Sequence, residues 1–383
     1  MSIPAEQTAR PDWAAIRREF PTTEKFTYLN IANKAILPRA VEAAMGEWMA
    51  DIYDNAGDSA FVMQTIEDTR DAVAETFGAP RENLALIKNT SEGINIVAQG
   101  LDWRDGDNVV ISEFEHENNT FPWRHLTRRG IDVRLAHPGP DGRITVDQYR
   151  DLVDDHTRVL AVGYVVYGNG YRADLKTLSV FCRERGIKLV VDAIQALGIL
   201  AAPISELGVD VLVAGGHKAQ FSLAGAGLMY ATDEMIEALT PPYAAKFSFT
   251  SLDRTLPDPE LAHDAHRFEY GNPNFLGCWV QRRSAEYVQA IGLTHIEARV
   301  RELTTRLMDQ AEDQQIKVRT PRPWDQRAGI VSLDLGRDAK DTVDRLKAKN
   351  IIVSYKDGHL RASVHFYNNE DDIDRLMTAL QDG

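Results

Sequence analysis

The chain has 383 residues, 44% hydrophobic and 26% charged, enough apolar material for a substantial core and too much for one small module. Its formal net charge of -14, with no run of Lys or Arg to offset it, excludes nucleic acid and an anionic membrane surface as partners. Two cysteines, Cys182 and Cys278, cannot build a disulfide framework and fit a reducing compartment.

The first stretch, Met1 to Ala15, lacks the apolar core of an export signal, and the longest apolar run, Val159 to Tyr167, is too short to cross a bilayer. A cytoplasmic location is therefore expected. From about residue 58 to 232, helical patterns alternate with short β-rich runs, the signature of βαβ units and a mostly parallel sheet. The predicted strands are Leu84 to Ile87, Asn108 to Ser112, Asp132 to Ala136, Val159 to Tyr164, Lys188 to Asp192, Val209 to Ala214 and Ala226 to Ala231. Helical spacing falls at Glu117 to Arg129, Asp174 to Arg185 and Ile204 to Leu207. The Pro- and Asp-rich segment from 247 to 266 reads as a surface excursion. His263 and His266 approach ligand spacing there, but as members of a surface loop, and no metal site is expected.

Beyond about residue 285 the order changes. A long helical stretch, Ala285 to Gln314, precedes strand-like Gly329 to Asp334, helical Ala339 to Lys349, strands Ile351 to Tyr355 and Leu360 to Val364, and a last helix, Glu370 to Leu380. Three regions follow: an N-terminal segment (1–57) packing on the small domain, a large domain (58–284) and a small α+β domain (285–383).

Three constellations attached to the α/β region carry chemistry. Asp192 ends a β-rich run, where ligands of parallel sheets gather. Lys218 follows two glycines, Gly215 and Gly216, after the run Asp210 to Ala214. A lysine held close to the backbone and partly buried acquires the lowered pKa of Schiff-base chemistry. Asn89, Thr90, Ser91, Glu92 and Gly93 sit where a loop enters a helix, and hydroxyls and free N–H groups there bind phosphate. Each alone has an ordinary reading, as helix caps or a turn lysine. Together they supply a phosphate anchor, a pyridine-nitrogen partner and a Schiff-base lysine, the requirements of pyridoxal 5'-phosphate. Neither G-x-x-x-x-G-K-[ST] nor a strand-borne G-x-G-x-x-G is present to suggest a nucleotide instead.

On these residues the chain resembles the class V aminotransferase group of fold-type I enzymes, which includes the cysteine desulfurases. The resemblance runs through "YLNIANKAILP" (28–38), "NTSEGINIVAQGL" (89–101), "EFEHENNTFPW" (113–123), "VVDAIQALG" (190–198), "GGHK" (215–218), "FEYGNPN" (268–274) and "LRASVHFYNNEDDIDRL" (360–376). It implies an α/β large domain with a mostly parallel seven-stranded sheet between helices. It further implies that Lys218 forms the Schiff base, Asp192 pairs with the pyridine nitrogen, His116 stacks on the ring and Gln195 bonds the ring oxygen. Thr90, Ser91 and His217 would hold the phosphate. Asn272 would reach the phosphate of a partner subunit, completing the site across a homodimer interface. Arg361 would grip the substrate α-carboxylate, while Asn33 and Lys34 would set specificity, Lys34 by attracting an acidic side chain.

The sequence departs from the desulfurases in one respect that bears on chemistry. Val353 to His359 lead straight to Arg361, so the loop is short and carries no cysteine. The expected activity is an aminotransferase acting at the α-carbon of a small amino acid. The alternatives are a cysteine or cystine C–S lyase or other β-eliminating lyase, then an epimerase, and, outside catalysis, a cofactor-binding scaffold.

Overall fold

The computed structural model describes residues 10–139 and 141–381; residues 1–9 of the expected N-terminal segment lie outside the described residues. The chain opens with α1 (Trp13–Arg18), β1 (Thr27–Tyr28), α2 (Arg39–Asp54) and α3 (Met63–Phe77). Next come β2 (Leu84–Ile87), α4 (Thr90–Gly100), β3 (Asn108–Ser112), α5 (Glu117–His125), β4 (Asp132–Ala136), α6 (Val146–Arg150) and β5 (Thr157–Gly163). The α/β region is completed by α7 (Leu175–Arg183), β6 (Lys188–Asp192), β7 (Val211–Gly215), β8 (Gly227–Ala231) and α8 (Asp233–Ala238).

These strands form one seven-stranded sheet in the order β2–β8–β7–β6–β5–β3–β4. Five adjacent strands, β7, β6, β5, β3 and β4, pair in parallel, and β8 is antiparallel to both β7 and β2. Alternate residues of each strand enter two separate cores: Val110, Leu160, Leu189 and Leu212 on one face, Val109, Ala161, Val190 and Val213 on the other. Burial on both faces is why the strands read as continuous apolar runs rather than as alternation.

The C-terminal layer comprises α9 (Phe275–Ile291), α10 (Leu293–Asp313), β9 (Lys317–Val318), β10 (Ile330–Asp334), α11 (Lys340–Ala348), β11 (Ile351–Ile352), β12 (Ser354–Lys356), β13 (His359–Ser363) and α12 (Glu370–Gln381). A four-stranded antiparallel sheet, β12–β13–β10–β9, packs Val331, Leu333, Leu360 and Ala362 against Leu303, Leu307 and Leu376. The N-terminal segment divides its contacts: β1 pairs in parallel with β11, whereas α2 lies on α9.

Several boundaries differ from the expected ones for local reasons. The stretch Ala285 to Gln314 is not one helix: α9 starts at Phe275, capped by the Asn274 side chain on Gly277 N, and Gly292 at φ 89° breaks it from α10. Glu117 to Arg129 remains α-helical only to His125 and then tightens into a 3-10 turn. Ile351 to Tyr355 is two strands because the chain changes sheets at Val353, leaving β1 for β13. His266 belongs to no exposed loop. It is half-buried between Asp264 and Glu67, at 3.1 and 3.2 Å, and these hydrogen bonds raise its pKa to about 9. His263 is exposed beside Glu260. Near His266, the fully buried Arg70 joins Glu269 at 2.6 Å and the Leu84 carbonyl at 2.7 Å, and Glu269 in turn accepts from Leu86 N. That ion pair satisfies backbone groups along the exposed edge of β2.

Gly198 links two strand ends. It sits at φ +91°, and a Cβ there would lie 2.2 Å from the Ala219 carbonyl oxygen. Gly198→Ala combines left-handed strain with a backbone clash and should lower stability by about 3 kcal/mol in chemical denaturation. A loss below ~1 kcal/mol would show that the two loops can separate freely.

Candidate active site

Four adjacent strands, β3, β5, β6 and β7, run the same way and deliver their C-terminal ends to one edge of the sheet. A cavity of about 180 Å³ lies there, lined by residues that follow these ends together with Ala32, Asn33, Thr90, Lys356 and Arg361. This is the crevice in which parallel α/β sheets bind ligands.

Asp192, the last residue of β6, is 7% exposed. Burial raises its pKa to about 6, although it accepts a hydrogen bond from Ile194 N at 3.0 Å and lies near Lys218. The side-chain amine of Lys218, three residues beyond β7, makes no hydrogen bond or ion pair among the described residues. Burial lowers its pKa to about 8; Asp192 opposes this shift, and Arg361 and Lys356 reinforce it. A buried amine poised to lose its proton near neutrality is a competent nucleophile toward an aldehyde.

The N-terminus of α4 approaches the same edge because Gly93 lacks a side chain: a Cβ there would stand 2.4 Å from Val213 Cγ1 on β7. Thr90 Oγ1 accepts from Gly215 N at 3.1 Å, so the helix start and the lysine loop are tied together. His217 is half-buried beside them, and burial keeps its pKa below the usual value. Ser91 shares that first turn but does not line the cavity. His116 caps α5 through Nδ1, which accepts from Asn118 N at 3.1 Å, so the proton of the neutral ring is on Nε2. Its ring meets Tyr167 edge-on at 5.1 Å.

Arg361 lies on a central strand of the small sheet and is 2% exposed. It donates to the Tyr167 carbonyl at 2.7 Å and to Ser354 Oγ at 3.3 Å, yet pairs with no carboxylate among the described residues, and Nε has no partner. Burial lowers its pKa to about 10. A desolvated guanidinium fork without its anion is suited to an incoming carboxylate.

The segment from Asn30 to Ala35 forms a strap between the two layers. Ala32 N donates to Ser363 Oγ at 2.9 Å and the Asn30 side chain meets Ser354. On the other side Gln195 Nε2 donates to Ala32 O at 2.9 Å, and Ala35 N donates to His217 O at 2.9 Å. Asn33 and Lys34 are both exposed, and of the two only Asn33 lines the cavity. The bond to Ala32 leaves Gln195 one of its two N–H groups for another acceptor. Asn272 is exposed at a different cavity, with Lys88, Glu92 and Tyr270.

Three further cavity residues were given no role by the sequence. Glu115 accepts from Gly163 N at 2.8 Å and Asn119 Nδ2 at 2.7 Å, while loss of solvent pushes its carboxyl up to about 7. Tyr167 forms the wall between His116 and Arg361, and Lys356 places Nζ 5.2 Å from its ring centroid. Glu115 lay in the segment 113–123 and Lys356 in the stretch 353–359, noted in the sequence only for lacking a cysteine.

These residues fit pyridoxal phosphate: a strand-end carboxylate, a buried unpartnered amine, and a hydroxyl at a helix start drawn close by glycine. The class V aminotransferase family model matches residues 27–376. A probable cysteine desulfurase of Pyrococcus abyssi is 27% identical over 394 residues, covering 96% of each chain. Among solved structures, a cysteine desulfurase of Thermococcus onnurineus superposes with TM-score 0.87 at 24% identity, covering 100% of this chain and 98% of that one. The cystine C–S lyase C-DES, solved with its product cysteine persulfide, gives TM-score 0.87 at 22% identity, covering 95% and 99%. The extent of the family match, over the same residues that build the cavity, makes this chain a member of the class V aminotransferase family of pyridoxal-phosphate-dependent enzymes.

Proposed function

We propose that this protein removes the α-proton of a small amino acid with Lys218 and breaks a bond at the β-carbon, as a lyase that releases the departing group instead of storing it on a cysteine. The observation that carries this reading is that one cavity holds a buried amine and a buried guanidinium, each without an anionic partner in contact. When bound, the cofactor supplies an aldehyde carbon for amines and a ring that accepts the electrons of the broken α-bond. Asp192 holds a negative charge in a buried position where a pyridine nitrogen gains and keeps its proton. Lys218, once free, takes and returns the proton at the α-carbon. Arg361 orients the α-carboxylate in a bidentate grip and so sets which bond faces the lysine. Thr90 and His217 would hold the phosphate, and His116 would cover one face of the ring.

The cysteines support release over storage. Cys182 on α7 and Cys278 on α9 are buried outside the cavity, and burial pushes both thiols up to about 12. Where a cysteine-bearing loop was absent from the sequence, β12 and β13 form a two-residue hairpin. The relatives' names, cysteine desulfurase and cystine C–S lyase, favour a carbon–sulfur bond as the one broken. A second reading, the aminotransferase expected from the sequence, uses the same base. Both need one proton carrier beside the α-carbon, which Lys218 supplies, whereas epimerisation needs carriers on two faces. Asn272 stands apart from Lys218, so its assignment to phosphate belongs with a homodimer in which it serves the partner's site.

The purified holoenzyme should show a visible absorption band and respond to amino acids added singly. Keto acid and ammonia accumulating while the band recovers unaided identifies a lyase. A lasting loss of the band, reversed by a keto acid, identifies the aminotransferase, and no band after reconstitution overturns both. Lys218→Ala should abolish the band and lower turnover by ~10²-fold or more. Iodoacetamide should leave the native enzyme's turnover unchanged; inactivation would restore a cysteine to the mechanism. In cofactor-free protein, reductive alkylation of Lys218 by a small aldehyde should rise with pH to half its maximum near 8. Asp192→Asn should move that midpoint down, since the carboxylate stabilises the ammonium form; a midpoint at the free lysine value of about 10.4 contradicts the burial argument.

A further inference from the structure

The wall that carries Arg361 has a second cation with no assigned anion. Asp357 and Gly358 close the β12–β13 hairpin at φ 49° and 84°, a two-residue turn whose left-handed centre fixes the strand register. That register sets Ser354 opposite Arg361 and Lys356 opposite His359. Directly opposed residues, and residues two apart, share a face, so Lys356 projects on the same side as Arg361. Both reach Tyr167, Arg361 at its carbonyl and Lys356 over its ring, and both line the cavity that contains Lys218. The carboxylates of that cavity are otherwise engaged: Asp192 is assigned to the ring nitrogen, and Glu115 is held by Gly163 N and Asn119. Lys356 pairs with no carboxylate among the described residues. With Arg361 committed to the α-carboxylate and the phosphate held by Thr90 and His217, Lys356 is a charge without a counterpart.

We infer that Lys356 binds an oxyanion at the far end of the substrate side chain, so that the preferred substrate is an amino acid whose side chain ends in a carboxylate or a similar anionic group. This rests on the roles given above to Lys218 and Arg361, and it moves to Lys356 the attraction that the sequence had suggested for Lys34. The aromatic face of Tyr167 seats the ammonium while leaving its N–H groups free to turn toward an anion. Half-buried beside a closed wall, the charge is shielded from bulk solvent more than a surface lysine is, which strengthens discrimination by charge.

The test is a titration of the holoenzyme's visible band with L-aspartate against L-asparagine, and L-glutamate against L-glutamine, pairs equal in shape and different in charge. The anionic member of at least one pair should bind about tenfold or more tightly than its amide. Lys356→Gln should remove most of that ratio, and Lys356→Glu should invert it, with near-ultraviolet circular dichroism confirming that both variants fold. Equal binding of acid and amide by the parent, or a ratio that survives in Lys356→Gln, overturns the inference while leaving the proposed activity intact. A band that responds to no amino acid removes that activity and the inference with it.

Discussion

The parallel pairing of β3, β5, β6 and β7 is the constraint on which the rest of this protein depends. Parallel strands cannot be joined by tight turns, so each connection crosses a face of the sheet and returns its next strand pointing the same way. The result is that Glu115, His116, Asp192 and Lys218, widely separated in sequence, emerge at one edge. Shifting Asp192 by one residue along β6 would turn it to the other face of the sheet. The two apolar cores therefore hold these side chains in register as well as supplying stability.

Burial then does the electrostatic tuning. Asp192 and Glu115 are pushed up, and Lys218 and Arg361 down, so each is drawn toward its neutral form by loss of water. Outside the cavity, buried Arg70 is paired with Glu269 and Arg299 with Glu370. In the cavity the pairs are left incomplete. Such a site is kept under electrostatic tension that a ligand of the right charge relieves, and this contrast distinguishes the cavity from the ion-pair network around His266.

The placement of Lys218 and Asp192 at the cavity was legible because its signal is local: a strand-like run, a charged residue at its end, and glycines beside the lysine. The seven strands were legible for the same reason, since burial on both faces writes an apolar run into each. The cavity contact of Lys356 was not, because it depends on how the β12–β13 hairpin is set against the large sheet, which no short window encodes. Nor could the sequence separate Asn33 from Lys34: both are exposed neighbours on the strap, and only Asn33 borders the cavity. Helix boundaries failed where one residue decided them, as Gly292 does between α9 and α10.

The strap from Asn30 to Ala35 has a consequence for how selectivity arises. It is hydrogen-bonded to β13 through Ala32 N and to the large sheet through Ala32 O and Ala35 N, so one short segment is held from both sides. Separating the layers breaks several of these bonds together, each worth about 1 kcal/mol. The distance between Arg361 and Lys218 is consequently set by the fold before any ligand arrives. A preorganised site of this kind rejects a molecule of the wrong length at the moment of encounter and spends little binding free energy on closing around the right one.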